Sequence, residues 1–136
     1  MSLVQILVSS NNETISMSNS LRGDFVLENV YLEFDNDHST QSLAYISSDW
    51  FGRSVTTNVG QQAVVIPIDN EAGNRQSNIT LNAAFPETDM PESFNIRLVG
   101  DDGQPLEHLT KCLLTFRVFR ERLRGGATGY GLGTLF

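Results

Sequence analysis

Apolar residues in this chain recur in short stretches rich in β-branched and aromatic side chains, several of them alternating with polar ones, and no stretch makes a convincing helix. Alternation puts successive side chains on opposite faces of an extended backbone, so each such stretch reads as a strand with one face in a core. Leu3 to Val8 is β-rich and ends at the turn cluster Ser9-Ser10-Asn11-Asn12. Thr14 to Met17 and Ile79 to Asn82 alternate, and Leu43 to Ser47 and Ala63 to Ile68 also read as strands. In Phe94 to Val99, Phe94, Ile96 and Leu98 share a face, and in Leu113 to Arg120, Leu114, Phe116 and Val118 do. Phe25 to Phe34 is the longest apolar stretch; its residue types favour a strand, although its periodicity also admits a helix. Gly23-Asp24, Asp35 to Ser39 and Asp69 to Asn78 read as turns or loops, as does Glu87 to Met90 between Pro86 and Pro91. Pro67 cannot donate to a ladder and places its strand at an edge or a bulge. Gly100-Asp101-Asp102-Gly103 reads as a hairpin-type turn.

Seven or eight strands in 136 residues predict an all-β fold, a single jelly-roll-like antiparallel β-sandwich over residues 1–120. Its expected core includes Phe25, Leu27, Val30, Leu32, Ile66, Ile96, Leu98, Leu114, Phe116 and Val118. Residues 121–136 are an Arg- and Gly-rich C-terminal arm, with glycines at 125, 126, 129, 131 and 133. Glycines at that density carry a high ordering entropy, so the arm is expected to be flexible until a partner orders it. Arg122 and Arg124 would steer it, and Tyr130, Leu132, Leu135 and Phe136 would anchor it.

Charge narrows the partners. Residues 1–116 hold 15 acidic and 5 basic side chains, a net of −10, while residues 117–136 hold four arginines and one glutamate, a net of +3. The acidic body is repelled by nucleic acid and by anionic membranes, so neither is an expected partner. Lys111 is the only lysine, and arginine is the cation better suited to desolvated contacts between subunits. The longest apolar run is too short for a membrane span, and Met1-Ser2-Leu3-Val4-Gln5 has no basic residue before its apolar patch, so no secretory signal is expected. The glycosylation triplets Asn12-Glu13-Thr14 and Asn78-Ile79-Thr80 are discounted for the same reason.

Catalytic chemistry has few candidates. Cys112 is the only cysteine, and His38 and His108 are the only histidines. In an extended strand His108 and Cys112 stand about 13 Å apart, too far for a nucleophile and its base. Asp35, Asp37 and Asp49 lack the remaining ligands of a calcium loop. The expectation is a protein that is not an enzyme and holds no cofactor or metal. Trp50 and Phe51, flanked by Asp49 and Arg53, are a candidate ligand or interface aromatic pair: a sugar platform if exposed, a corner of the core or a contact anchor otherwise.

Phe94 to Leu106 followed by Leu113 to Arg117 resembles the closing β-hairpin of single jelly-roll proteins encoded by Polinton and adintovirus-like DNA viruses. The shared pattern is a strand, an acidic Asp-x-Gly turn, a proline or apolar residue, and a strand ending in apolar–Thr–apolar–aromatic–Arg. Leu21 to Leu32 resembles that family's first long strand. The resemblance implies a virion structural protein of minor capsid, penton or spike type. It implies a homo-oligomer, a trimer or pentamer, in contact with a major capsid protein. Leu123-Arg124-Gly125-Gly126-Ala127 resembles the cleavage pattern of the adenovirus-type maturation protease, which implies processing after Gly126. Two glycines let an extended substrate thread a narrow cleft, and Leu123 fills the pocket upstream. Two alternatives remain open: a carbohydrate-binding or adhesive β-sandwich, and a ubiquitin-like modifier precursor cut after Gly126.

Overall fold

The computed structural model describes residues 2–35, 39–51, 55–57, 60–62, 64–69 and 76–119. Among them there is no helix, and hence none long and apolar enough to cross a membrane. The strands are β1 (Ser2–Val8), β2 (Asn12–Ser16), β3 (Leu21–Phe34), β4 (Leu43–Ser48), β5 (Val55–Thr57), β6 (Gly60–Gln62), β7 (Val64–Pro67), β8 (Gln76–Met90), β9 (Ser93–Gly100) and β10 (Leu109–Val118).

Two four-stranded antiparallel sheets face each other, ordered β1-β10-β3-β8 and β2-β9-β4-β7, and β5-β6 forms a separate small hairpin. The pairs β1·β10, β2·β9, β3·β8 and β4·β7 match each strand of the first half with its mirror image in the second. The chain is therefore one long antiparallel hairpin, with β5-β6 at its far end, rolled up. The β10·β3 and β9·β4 ladders close the roll into two sheets. This is a jelly roll.

All ten core positions expected from alternation are buried. Within β3 the buried apolar residues are Phe25, Leu27, Val30 and Leu32, a spacing of two, three and two. A regular strand cannot place Leu27 and Val30 on one face. The register against β8 slips between Leu27 and Asn29, and against β10 it slips opposite Thr115 and Phe116, so a bulge at Glu28 shifts the phase by one residue. That slip produced the helix-like spacing. A second slip between Gly23 and Phe25 keeps Gly23-Asp24 inside the strand, where a turn was expected.

Two further expectations are corrected. Glu87 to Met90 is the end of β8, not a loop. Pro86 is tolerated because β8 is an edge strand, and the residues around it are bulged against β3. The turn at Gly100 to Gly103 forms: the Gly103 N–H donates to the Gly100 carbonyl, and Gly103 has φ 81°. It does not close a hairpin between β9 and β10, which lie in different sheets. The chain returns only as far as a bridge between Val99 and Pro105, then crosses to the other sheet. Pro67 ends β7, which is an edge strand as expected.

Candidate functional site: the outer face and free edge of the first sheet

The interior of the roll is filled by side chains. Trp50 and Phe51, 6% and 2% exposed, stand in an aromatic cluster with Phe25, Phe85, Phe94 and Phe116. A sugar platform needs an exposed ring face, and neither residue has one; of the readings above, burial fits the corner of the core. The pair lies at the turn leaving β4, where Asp49 is exposed while the two rings turn inward.

Cys112 is fully buried in β10, and burial pushes its thiol up to about 12. A thiol held neutral is neither nucleophile nor metal ligand. His108 lies on the turn before β10 at φ 62°, about half exposed, with Nδ1 3.6 Å from Asp35 Oδ1. It faces solvent while Cys112 faces the core, so the two do not meet. No three metal-ligating side chains cluster among the described residues. A groove of about 280 Å³ beside β7 and the start of β8 has Asp69 as the one carboxylate among its described lining residues.

What the roll does present is the outer face of the β1-β10-β3-β8 sheet. Its register aligns three rows across all four strands. One row is Leu7, Leu113, Tyr31 and Asn78; the middle row is Gln5, Thr115, Asn29 and Thr80; the third is Leu3, Arg117, Val26 and Ala84. The middle row is polar and bonded in place. Gln5 Nε2 donates to Thr115 Oγ1 at 3.4 Å, and Asn29 Nδ2 donates to Asn78 Oδ1 at 3.1 Å and to the Ile79 carbonyl at 3.2 Å. Basic groups on this sheet are matched by acids: Arg117 with Glu28, Lys111 with Glu33 at 3.2 Å, Arg22 with Asp89 at 3.1 Å. The Arg117 guanidinium also lies 5.8 Å from the ring of Phe119. Leu3, Leu7 and Phe119 are 61%, 58% and 49% exposed, and the two leucines sit on the free edge strand β1.

Sequence reasoning missed two features. The β-rich character of β1 was legible, but nothing local shows which of its two apolar faces meets the core. Gln41, in an irregular segment, is fully buried as a hub: Nε2 donates to Asp102 Oδ1 and to the Pro105 carbonyl, both at 3.0 Å, and Oε1 accepts from the Glu107 N–H at 2.8 Å. These bonds tie the crossing between β9 and β10 to the lead-in of β4. Asp102 is held below the usual carboxylate range first by its bond from Gln41, then by the Gln104 N–H. Glu13, beside β1, is likewise lowered, first by the Ser9 backbone N–H. Among candidates from the sequence, Arg53, His38, Asp37, the cleavage pattern Leu123 to Ala127 and the arm residues Arg122, Arg124, Tyr130, Leu132, Leu135 and Phe136 lie outside the described residues.

No protein-family model matches the chain, and no curated protein matches it at a significant level.

Proposed function

We propose that this chain is a non-enzymatic structural subunit of a virion, a minor capsid, penton or spike-like jelly roll that acts by self-assembly and by contact with a major capsid protein. The observation that carries the proposal is the strand order of the two sheets. Mirror-paired strands rolled into β1-β10-β3-β8 over β2-β9-β4-β7 form the architecture that viral capsid subunits use. The step from fold to function is one of analogy, because jelly rolls also serve lectins and enzymes. Two observations favour the structural role within that set. Cys112 is buried and held neutral, and His108 stands beside Asp35 at the surface, so these two described residues do not pair as nucleophile and base. The carbohydrate-binding alternative has lost its exposed ring with the burial of Trp50. The modifier alternative requires a helix packed on a sheet, and the described residues form a helix-free sandwich.

In this reading residues 121–136 are a docking arm for a neighbouring subunit, and cleavage by a maturation protease after Gly126 releases residues 127–136. The test is the mass of the purified full chain by light scattering over a concentration series. A homo-oligomer, as a trimer or pentamer, is expected. A strictly monomeric chain at the highest concentration reached, with no partner added, refutes self-assembly.

A further inference from the structure

Among the described residues, four strands of the two large sheets have a free edge: β8 and β1 in one sheet, β2 and β7 in the other. A free edge presents unpaired N–H and C=O groups to any other strand, and folded proteins blunt it with prolines, charges, bulges or short length. Three of the four edges carry such devices. β8 holds Pro86 and Asp89 and is bulged against its neighbour. β7 has four residues and ends in Pro67. β2 has five residues and carries Glu13. β1 has none of them. Its seven residues, Ser-Leu-Val-Gln-Ile-Leu-Val, hold no charge and no proline, and its register against β10 runs from Ser2 opposite Val118 to Val8 opposite Cys112 without a slip.

We infer that β1 is a self-recognition edge: two copies of this chain pair through it, antiparallel about a twofold axis at Gln5, and join their four-stranded sheets into one continuous sheet. The strand is nearly palindromic about that residue. Pairing in this register sets Leu3 opposite Leu7 of the second copy, Gln5 opposite itself, and Val4 opposite Ile6. Every residue stays on its own face, because the paired positions have the same parity. Leu3 and Leu7, each more than half exposed in the single chain, cover one another, and Ile6 continues the buried face. Such self-complementarity is what an isologous contact requires.

Charge selects the occupant. Two copies of a chain with a net charge of −7 repel, and an edge bearing Glu13 or Asp89 would bring like charges together on self-pairing. β1 and β7 bear no charge, and of these β7 is short and ends in Pro67, which leaves β1 as the long edge at which copies meet without like charges. The Arg-rich segment 120–136 finds no acid on β1 to attract it. The inference deepens the self-assembly reading, on which its biological use rests. A twofold contact links pairs, so rings of three or five would need a second, head-to-tail contact.

The experiment uses the full chain and two double variants, Leu3→Glu with Leu7→Glu and Leu3→Lys with Leu7→Lys, by sedimentation velocity with circular dichroism as the check on folding. Both side chains are mostly in solvent, so each variant keeps the fold of the single chain. The expected result is a wild type at least dimeric, a mass halved in either variant alone, and the wild-type mass restored on mixing the two, because each new carboxylate then faces an ammonium. A wild type that oligomerises with unchanged mass in both variants overturns the β1 contact while leaving self-assembly standing. A strictly monomeric wild type overturns both. Disruption in both variants without rescue on mixing overturns the antiparallel register, and loss of the oligomer on deleting 120–136 but not in the double variants moves the contact to that segment.

Discussion

Replacing Trp50 by alanine and by phenylalanine tests the assignment of this residue to the core. Its ring centroid lies 5.6 Å from that of Phe25, 5.0 Å from Phe51, 5.8 Å from Phe85 and from Phe94, and 5.3 Å from Phe116. Those neighbours sit on β3, β8 and β10 of one sheet and β9 of the other, so the indole spans the layer between the sheets. Trp50→Ala leaves a cavity walled on three sides by β3, β9 and β10, which are bonded on both sides and collapse little. The cost is about 3–5 kcal/mol. That is about a fifth or more of the about 5–15 kcal/mol that holds a domain together. It corresponds to a fall in Tm of roughly 10–20 °C. Trp50→Phe behaves differently. The indole Nε1 is buried and has no hydrogen-bond partner among the described residues. Removing a buried unsatisfied donor relieves about 1–3 kcal/mol. The smaller ring gives back about 1 kcal/mol as lost contact and cavity. The phenylalanine variant is therefore expected to be as stable as wild type or more stable by up to about 2 kcal/mol. Urea unfolding followed by far-ultraviolet circular dichroism measures both, since the only tryptophan is the residue replaced. A Trp50→Ala cost below about 1 kcal/mol would refute the placement of the ring in the core. A Trp50→Phe cost equal to that of alanine would show that the N–H is satisfied.

Gly100→Ala strikes the Gln41 hub: a Cβ there would stand 2.5 Å from Gln41 Nε2 and 2.7 Å from its Cδ, and the hydrogen bonds of Gln41 leave it nowhere to move. The expected loss is about 2–4 kcal/mol in the same urea assay. Asp102, no longer held down by Gln41, should titrate closer to the ordinary value of 3.8 by NMR; an unchanged titration would refute the link. Cys112 should resist Ellman-type reagents in the native chain and react in urea. Its folded pKa is raised from 9.0 to about 12, so its contribution to stability is complete below pH 9.0 and is lost as pH climbs toward 12. Cys112→Ala should lack that part of the alkaline fall, and identical alkaline limbs would contradict it.

The fold was legible wherever burial follows strict alternation. Phe94, Ile96 and Leu98, and Leu114, Phe116 and Val118, lie inward as their spacing requires. It blurred wherever a bulge inserts one residue, because the period of two then breaks: Leu27 and Val30 look helical on a line and share a strand face in space. Prolines misled for a related reason. Pro86 lies within β8 because an edge strand has a side on which no ladder bond is needed, and edge position is a property of the sheet rather than of the segment. The turn at Gly100 to Gly103 was readable from Asp-Gly chemistry, but turn chemistry specifies a reversal of a few residues, not the sheet in which the next strand lands. β5 and β6 carry no apolar run and gave no signal at all.

The candidate site was less legible, and β1 shows why. Ile6 and Val8 are buried on one face while Leu3 and Leu7 are exposed on the other, so the strand is apolar on both sides. Such a strand normally lies inside a sheet with both faces covered, and a half-solvated strand alternates apolar with polar. β2 follows the second rule, with Ile15 buried between Thr14 and Ser16. β1 follows the first rule while occupying an edge. A single segment cannot reveal that conflict, because the residue types are satisfied in a central strand and unsatisfied only once the topology leaves one side of β1 open. Sequence supplies the two-faced strand and structure supplies its position. A second β1 resolves the mismatch without any further change in the fold: it turns the edge into an interior position and puts each exposed leucine against another.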